Sequence, residues 1–286
     1  MDGEGSDEYR IAVAVGNPDH AEQLVRTAVD VARDRGGEVF VVGVVVTPRE
    51  SPFAMFTDDV IAREFGGERR AVLDRAVEVA SGTGVPVAGK LYVASSVARG
   101  VLAAIDERDC DALLVGWQAR RRENAVLGAN VDRVVRRADC DVLVEKIGAL
   151  AGAVEAVLLP VAESPHAELA ASVARAIAVA NGARVDLLRV ISGVGEEPAA
   201  RDLLAGAAES LAGVEVGTEI REGDVAEEIV AASRSRDVTV IGATRTGALR
   251  RRVVGSTPQA VGRRTEGTVI MAQKGGGSLV SRLLRL

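Results

Sequence analysis

IAVAVGNPDHAEQLVRTAVDVARDRGGEVFVVGVV, residues 11–45, returns in altered form as VLLPVAESPHAELAASVARAIAVANGARVDLLRVI, residues 157–191. The offset of 146 sets His20 against His166, Glu22 against Glu168 and Gly36 against Gly182. Further on, DALLVG (Asp111–Gly116) parallels DVTVIG (Asp237–Gly242), and VLGANVDRVV (Val126–Val135) parallels VVGSTPQAVG (Val253–Gly262). DVLVEK and GTVIMAQK close the two copies. The chain therefore reads as one unit used twice. The small-residue stretch GALAGA, residues 148–153, is the joint, which predicts domains over 9–147 and 154–274 and a C-terminal tail over 275–286.

Inside a copy, short β-branched runs lack polar alternation, as strands buried on both faces of a parallel sheet do. In the first copy they are Ile11–Val15, Val39–Val46, Val85–Val93, Ala112–Val115 and Val142–Val144. Segments of helical period lie between them, including His20–Arg35 and Asp59–Ala80. In the second copy Ser164-Pro165 signals a helix start and Gly182 a helix stop. Such alternation predicts an α/β fold of two tandem, doubly wound, parallel five-stranded sheets. Ligands on such sheets sit at the carboxyl ends of the strands, which directs attention to the loops after the first and fourth strands of each copy.

The 286 residues carry a net charge of −6, against a general nucleic-acid coat. Aromatics are 2% of the chain, too few for a stacking platform for single strands. No apolar run approaches the ~20 residues of a bilayer span. The acidic start MDGEGSDEYR is unlike a signal peptide, so a cytoplasmic protein is expected. Two His and two Cys, far apart, give no metal-ligand spacing. The first βα loops, VGNPDH (Val15–His20) and VAESPH (Val161–His166), lack G-x-G-x-x-G, and neither a P-loop nor a G-x-S-x-G elbow occurs. His20 and His166 are expected in surface or capping roles. No nucleophile–base pair stands out, so no enzyme activity is expected.

The fourth βα loop of the second copy reads IGATRTGALRRRVVGSTPQAV, Ile241–Val261. Gly255-Ser256-Thr257 is predicted to open a helix whose free N–H groups and hydroxyls make an anion site. This stretch, with Gly223-Asp224-Val225-Ala226-Glu227-Glu228-Ile229 before the preceding helix, resembles the universal stress protein family. Nucleotide-binding members carry G-x2-G-x9-G-[ST] in that loop. The resemblance covers both copies. The tandem wording VLGANVDRVVRRADCDVLVEKIG, SPHAELA and IGATRTG…GSTPQAVGRR is similar to stress-protein domains that accompany amino-acid or ion transporters. It implies an adenine nucleotide-binding fold and site positions at Ala162, Val190, Ile241, Gly242, Thr244, Arg245, Gly255, Ser256 and Thr257. In the first copy the matching positions include Gly16, Gly116, Gly128 and Asn130. It also implies pairing through the fifth strands, either within one chain or in a homodimer, and a transporter as partner.

This sequence departs from the family pattern at the cradle. Arg245 replaces the inner glycine of the second copy, although Gly242 and Gly255 keep the outer spacing of 13. In the first copy Gly116 and Gly128 are 12 apart, with Ala119 and Ala129 in place of glycine and Ser/Thr. Gly16 and Ala162 stand where those members have an Asp near the adenosine. Each lost contact weakens binding by roughly 1–3 kcal/mol. The expected function is thus a non-catalytic regulatory module with degenerate nucleotide loops. The alternative is ATP or cyclic-dinucleotide binding in the second copy, regulating a transporter. Arg120-Arg121-Arg122 and Arg250-Arg251-Arg252 add cations that suit phosphate. Cys110 and Cys140, each within Asp-Cys-Asp, are expected as buried small hydrophobes, with a redox pair as the competing idea. Thr47–Asp59 is expected to be a covering loop, and SLVSRLLRL after Gly275-Gly276-Gly277 a frayed tail.

Overall fold

The computed structural model describes residues 8–47, 56–64, 66–117, 127–148, 153–243 and 255–275. The chain forms two compact units, the first ending at Leu114 and the second beginning at Val115. The first contains β1 (Arg10–Ala14), α1 (Pro18–Arg35), β2 (Glu38–Val46), α2 (Asp58–Glu64), α3 (Gly67–Ser81), β3 (Val87–Ala94), α4 (Val97–Glu107) and the start of β4 (Ala112–Trp117). Its strands lie in the order β3-β2-β1-β4. β1 and β3 both pair with β2 in parallel, Ile11 opposite Val39 and Gly89 opposite Val41. Successive residues Val39–Val42 are all buried, as a strand covered on both faces requires. Each such aliphatic side chain contributes about 1.5–3 kcal/mol by leaving water.

α1 begins at Pro18, two residues before His20, because the Asn17 side chain accepts the Asp19 N–H at 3.0 Å and caps the helix. Gly36 ends it in the left-handed conformation, φ 64°, and Gly182 ends the matching helix of the second copy at φ 67°. The helical segment expected over Asp59–Ala80 is two helices. A Cβ on Gly66 would lie 2.2 Å from the Ala62 carbonyl oxygen, and Gly67 has φ 38°, so the chain turns there.

The second unit contains α5 (Ala129–Arg137), β5 (Asp141–Lys146), β6 (Ala156–Pro160), α6 (Ala167–Asn181), β7 (Arg184–Ile191), α7 (Glu197–Glu209), β8 (Val216–Glu222), α8 (Val225–Ser233), β9 (Val238–Gly242), α9 (Ser256–Arg264) and β10 (Thr268–Gln273). From β5 the strand order is β5-β10-β9-β6-β7-β8. β9, β6, β7 and β8 run parallel with β10. β5 is the exception. It pairs antiparallel with β10, Val144 opposite Met271 and Val142 opposite Gln273. The ladder joins the fifth strand of the first copy to that of the second, which places β5 in the second unit.

Reciprocal bonds lock this ladder. Lys146 Nζ donates to the Thr265 carbonyl at the end of α9, while Gln273 Nε2 donates to the Val135 carbonyl in the last turn of α5 at 3.1 Å. Each strand thus caps the other copy's last helix, where orphan carbonyls need donors. Gly148 N–H reaches Thr268 Oγ1 at 3.5 Å, and Gly275 N–H reaches Asp141 Oδ1 at 2.8 Å, in matching positions.

The repeated Asp before the fourth strand also has a structural reason. Asp111 Oδ2 accepts the Arg10 N–H at 2.9 Å, and Asp237 Oδ2 accepts those of Glu155 and Ala156 at 2.8 and 3.0 Å. Each carboxylate ties the first strand of its copy to the fourth.

Trp117, buried at the end of β4, lies over Gly262 of α9, where a Cβ would meet the indole at 2.6 Å and Met271 at 2.4 Å. Gly262→Leu is expected to destabilise the chain by about 1–3 kcal/mol and to shift Trp117 fluorescence to the red. Gly206→Ala, in open space on α7, is expected to stabilise by about 0.5–1 kcal/mol in the same thermal unfolding assay.

Candidate functional site

From β6 the connections diverge. β7 lies on one side and β9 on the other. Such a reversal of strand order opens a crevice at the carboxyl ends of β6 and β9. The chain brings several predicted residues there. Val161 N–H bonds to Leu188 O at 2.8 Å and carries the half-buried Ala162 past the end of β6. Ile241 and Gly242 close β9 opposite Met271 and Ala272, and Ala243 N–H continues the pairing to Ala272 O at 2.8 Å. Val190, near the end of β7, is buried.

α9 points its amino end at the same edge. Gly255 is its N-cap, in extended conformation, with no side-chain cap. Gln259 N–H returns to Gly255 O at 3.3 Å, and Pro258 has no N–H to offer. Ser256 and Thr257 have no carbonyl one turn back within the helix, so their N–H groups have no intrahelical partner, and both side chains carry hydroxyls. That arrangement favours an oxyanion chemically. Thr244, Arg245 and Arg250-Arg251-Arg252 lie outside the described residues, as do Arg120-Arg121-Arg122 and Ala119.

The matching helix of the first copy is built differently. Gly128 caps α5 at φ 85°, a conformation that suits glycine, and Asp132 N–H bonds to its carbonyl at 2.9 Å. Ala129 has no hydroxyl, and Asn130 is exposed. Asp132 places a carboxylate in the first turn, where the second copy has the neutral Gln259. Burial pushes the Asp132 carboxyl up, opposed by Arg136, and its Oδ1 is buried without a hydrogen bond among the described residues. A carboxylate there complements the helix dipole and repels a second anion. Gly116 ends the buried run of β4, while Gly16 belongs to the first unit and is exposed.

Gly16 and Val161 share an unexpected neighbour type. Arg69 of α3 donates to the Gly16 carbonyl, and Arg189 Nη1 of β7 donates to the Val161 carbonyl at 3.3 Å. A guanidinium therefore braces the loop after the first strand in both copies. Strand alternation turns Arg189 away from Val190. Its Nε is buried without a hydrogen bond among the described residues. By contrast Arg236, Arg221 and Arg184 of the same unit share Asp186, Glu219 and Glu228 in ion pairs. Neither Arg69, Arg189 nor Asp132 stands out in the sequence, because the chain is rich in Arg and Asp and their roles depend on tertiary contacts.

His166 is buried, not at the surface. Its Nδ1 accepts the Lys274 N–H at 3.1 Å and it packs beneath Gly242. Cys110 is buried in the first unit and Cys140 half-buried in the second. Among the described residues no cluster of His, Cys, Asp and Glu has metal-binding geometry, and no helix is long and apolar enough to cross a membrane.

The universal stress protein family model matches residues 9–146 and again 154–273. The chain belongs to the universal stress protein family. A universal stress protein from Archaeoglobus fulgidus superposes with TM-score 0.67 at 16% identity, covering 94% of this chain and 97% of that one. The cytoplasmic domain of a prokaryotic cation chloride cotransporter superposes with TM-score 0.65 at 12% identity, covering 96% and 99%. Both establish a shared fold for this stress protein. Among curated proteins none matches the sequence.

Burial pushes the Cys110 thiol from an ordinary 9.0 up to about 12, which leaves little thiolate for redox chemistry. The unfolded thiol ionises from about pH 9, whereas the folded one keeps its proton to about 12, so the folded state binds more protons and stability falls as pH rises through that window. Urea unfolding between pH 8 and 11 is expected to show that loss, with a shallower slope in Cys110→Ala.

Proposed function

We propose that this stress protein is a non-catalytic, cytoplasmic regulatory module whose second repeat weakly holds an anionic adenine-type ligand and whose first repeat holds none. The observation that carries the reading is the amino end of α9 at Gly255, Ser256 and Thr257, which no side chain caps among the described residues, set against Asp132 in the same turn of α5. Two backbone N–H groups and two hydroxyls suit a phosphate oxygen. The loss of a carboxylate at Ala162 removes an acceptor for a ribose hydroxyl and costs about one to two decades of affinity. His166 favours the non-catalytic reading, since the Nδ1 of its neutral ring is held by the Lys274 backbone N–H.

A second reading keeps full ATP binding in the second repeat and makes it a switch on a transporter. The hydroxyls of Ser256 and Thr257 favour it, and the fold shared with a cotransporter's cytoplasmic domain suggests the kind of partner. With β5 laddered to β10, the pairing edge of the fifth strands is used within the chain, so the first reading takes a monomer as the working form.

Titration calorimetry with ATP separates the readings. The first predicts at most one site per chain, binding more weakly than micromolar by about one to two decades, abolished by Gly255→Val, with no phosphate released. Micromolar binding supports the second. Two equal sites, or heat unchanged by Gly255→Val, contradicts both.

A further inference from the structure

The last residue of β10 and the two that follow it are held by three different parts of the second unit. Gln273 Nε2 donates to Val135 O of α5, Lys274 N–H donates to His166 Nδ1, and Gly275 N–H donates to Asp141 Oδ1 at the start of β5. A carbonyl carries no titratable proton. Of the two side-chain acceptors, the imidazole is the type whose ordinary range straddles pH 6–7.

We infer that His166 is a pH-sensitive clasp on the carboxyl end of β10, closed while the imidazole is neutral and released when it takes a proton. With Nδ1 accepting from Lys274, the ring proton of the neutral form sits on Nε2. A proton added at Nδ1 turns that acceptor into a donor facing another donor, so the bond ends. The charged groups around the clasp act in both directions. The Lys274 ammonium and the positive amino end of α6, whose N-cap is His166, oppose an imidazolium. Glu168, which pairs with Lys274 Nζ at 3.2 Å, and Asp141 on the neighbouring N–H favour one. His166 N–H is anchored on Ser164 Oγ at 3.1 Å, which holds the backbone that carries the ring in the turn before α6.

Release reaches the carboxyl edge. Ala272 O receives the Ala243 N–H, and His166 lies under Gly242, where a Cβ would sit 3.4 Å from the imidazole's own Cβ. Opening the clasp therefore loosens the ends of β9 and β10 together. The inference stands without any ligand and is independent of the function proposed above. The sign follows from the acceptor role. The neutral form makes the bond, so the stabilisation is present above the ordinary imidazole range and is lost as pH falls through it.

The chain has two histidines, which makes the test direct. Amide exchange of Lys274 in the full chain, corrected for intrinsic rates, is expected to lose protection about tenfold between pH 7.5 and 5.5. His166→Gln, whose amide oxygen accepts at either pH, is expected to remove that pH dependence, and His20→Gln to leave it in place. Nitrogen NMR of the wild-type imidazole, which needs no variant, is expected to show His166 as the Nε2–H tautomer at pH 7.5. Unchanged Lys274 protection across the range, an equal loss in a folded His166→Gln, or an Nδ1–H tautomer at pH 7.5 overturns the inference.

Discussion

The antiparallel ladder between Val142–Lys146 and Val269–Gln273 is the interaction on which the candidate site depends. Parallel strands from β9 to β8 place the crevice, but β10 must be fixed for β9 to end where it does. The ladder fixes it from one side, and the side chains of Lys146 and Gln273 fix it from the ends of two helices. Each such bond contributes about 0.5–1.5 kcal/mol net, and an unmade one would leave a buried donor or acceptor at greater cost. Gly242, Ala243 and the amino end of α9 inherit their positions from this seam.

Duplication gave both copies the same frame, and single residues then separated their chemistry. Gly128 and Gly255 cap equivalent helices. Asp132 places a carboxylate in the first turn of α5, whereas the first turn of α9 carries no acidic residue. Arg69 and Arg189 put cations at the loop after the first strand, where a ribose-binding carboxylate would be needed. The direction of these changes is consistent. On the function proposed above, they would lower affinity for a nucleoside and raise the preference of the second copy for negative charge.

Much of this was legible in the sequence because it is local. The β-branched runs, Gly36 and Gly182 as helix stops, and Gly255 as a helix opening all depend on neighbours within a few residues, and the repeat shows in the sequence by direct comparison of its two copies. The paired Asp111 and Asp237 were visible as a repeat, but their bonds to distant backbone were not. The break at Gly66-Gly67 was missed because helical period continues across it, and only the approach of Gly66 to Ala62 shows why the helix stops. His166 takes the N-cap position of α6, one of its two expected places, but not the surface, because a proline turn before α6 carries its ring inward to Lys274, 108 positions away. The Arg189 brace and the seat of Trp117 on Gly262 also join residues that no periodicity connects.

The central claim is that one repeat, the second, retains a working anion cradle at its strand reversal. A crystal structure of the chain grown with ADP tests it most directly. The account predicts a single nucleotide per chain, its phosphates on the N–H groups of Ser256 and Thr257 and its base toward Val190. Nucleotide density on α5 at Gly128, or at neither helix while ADP binds elsewhere, would contradict it.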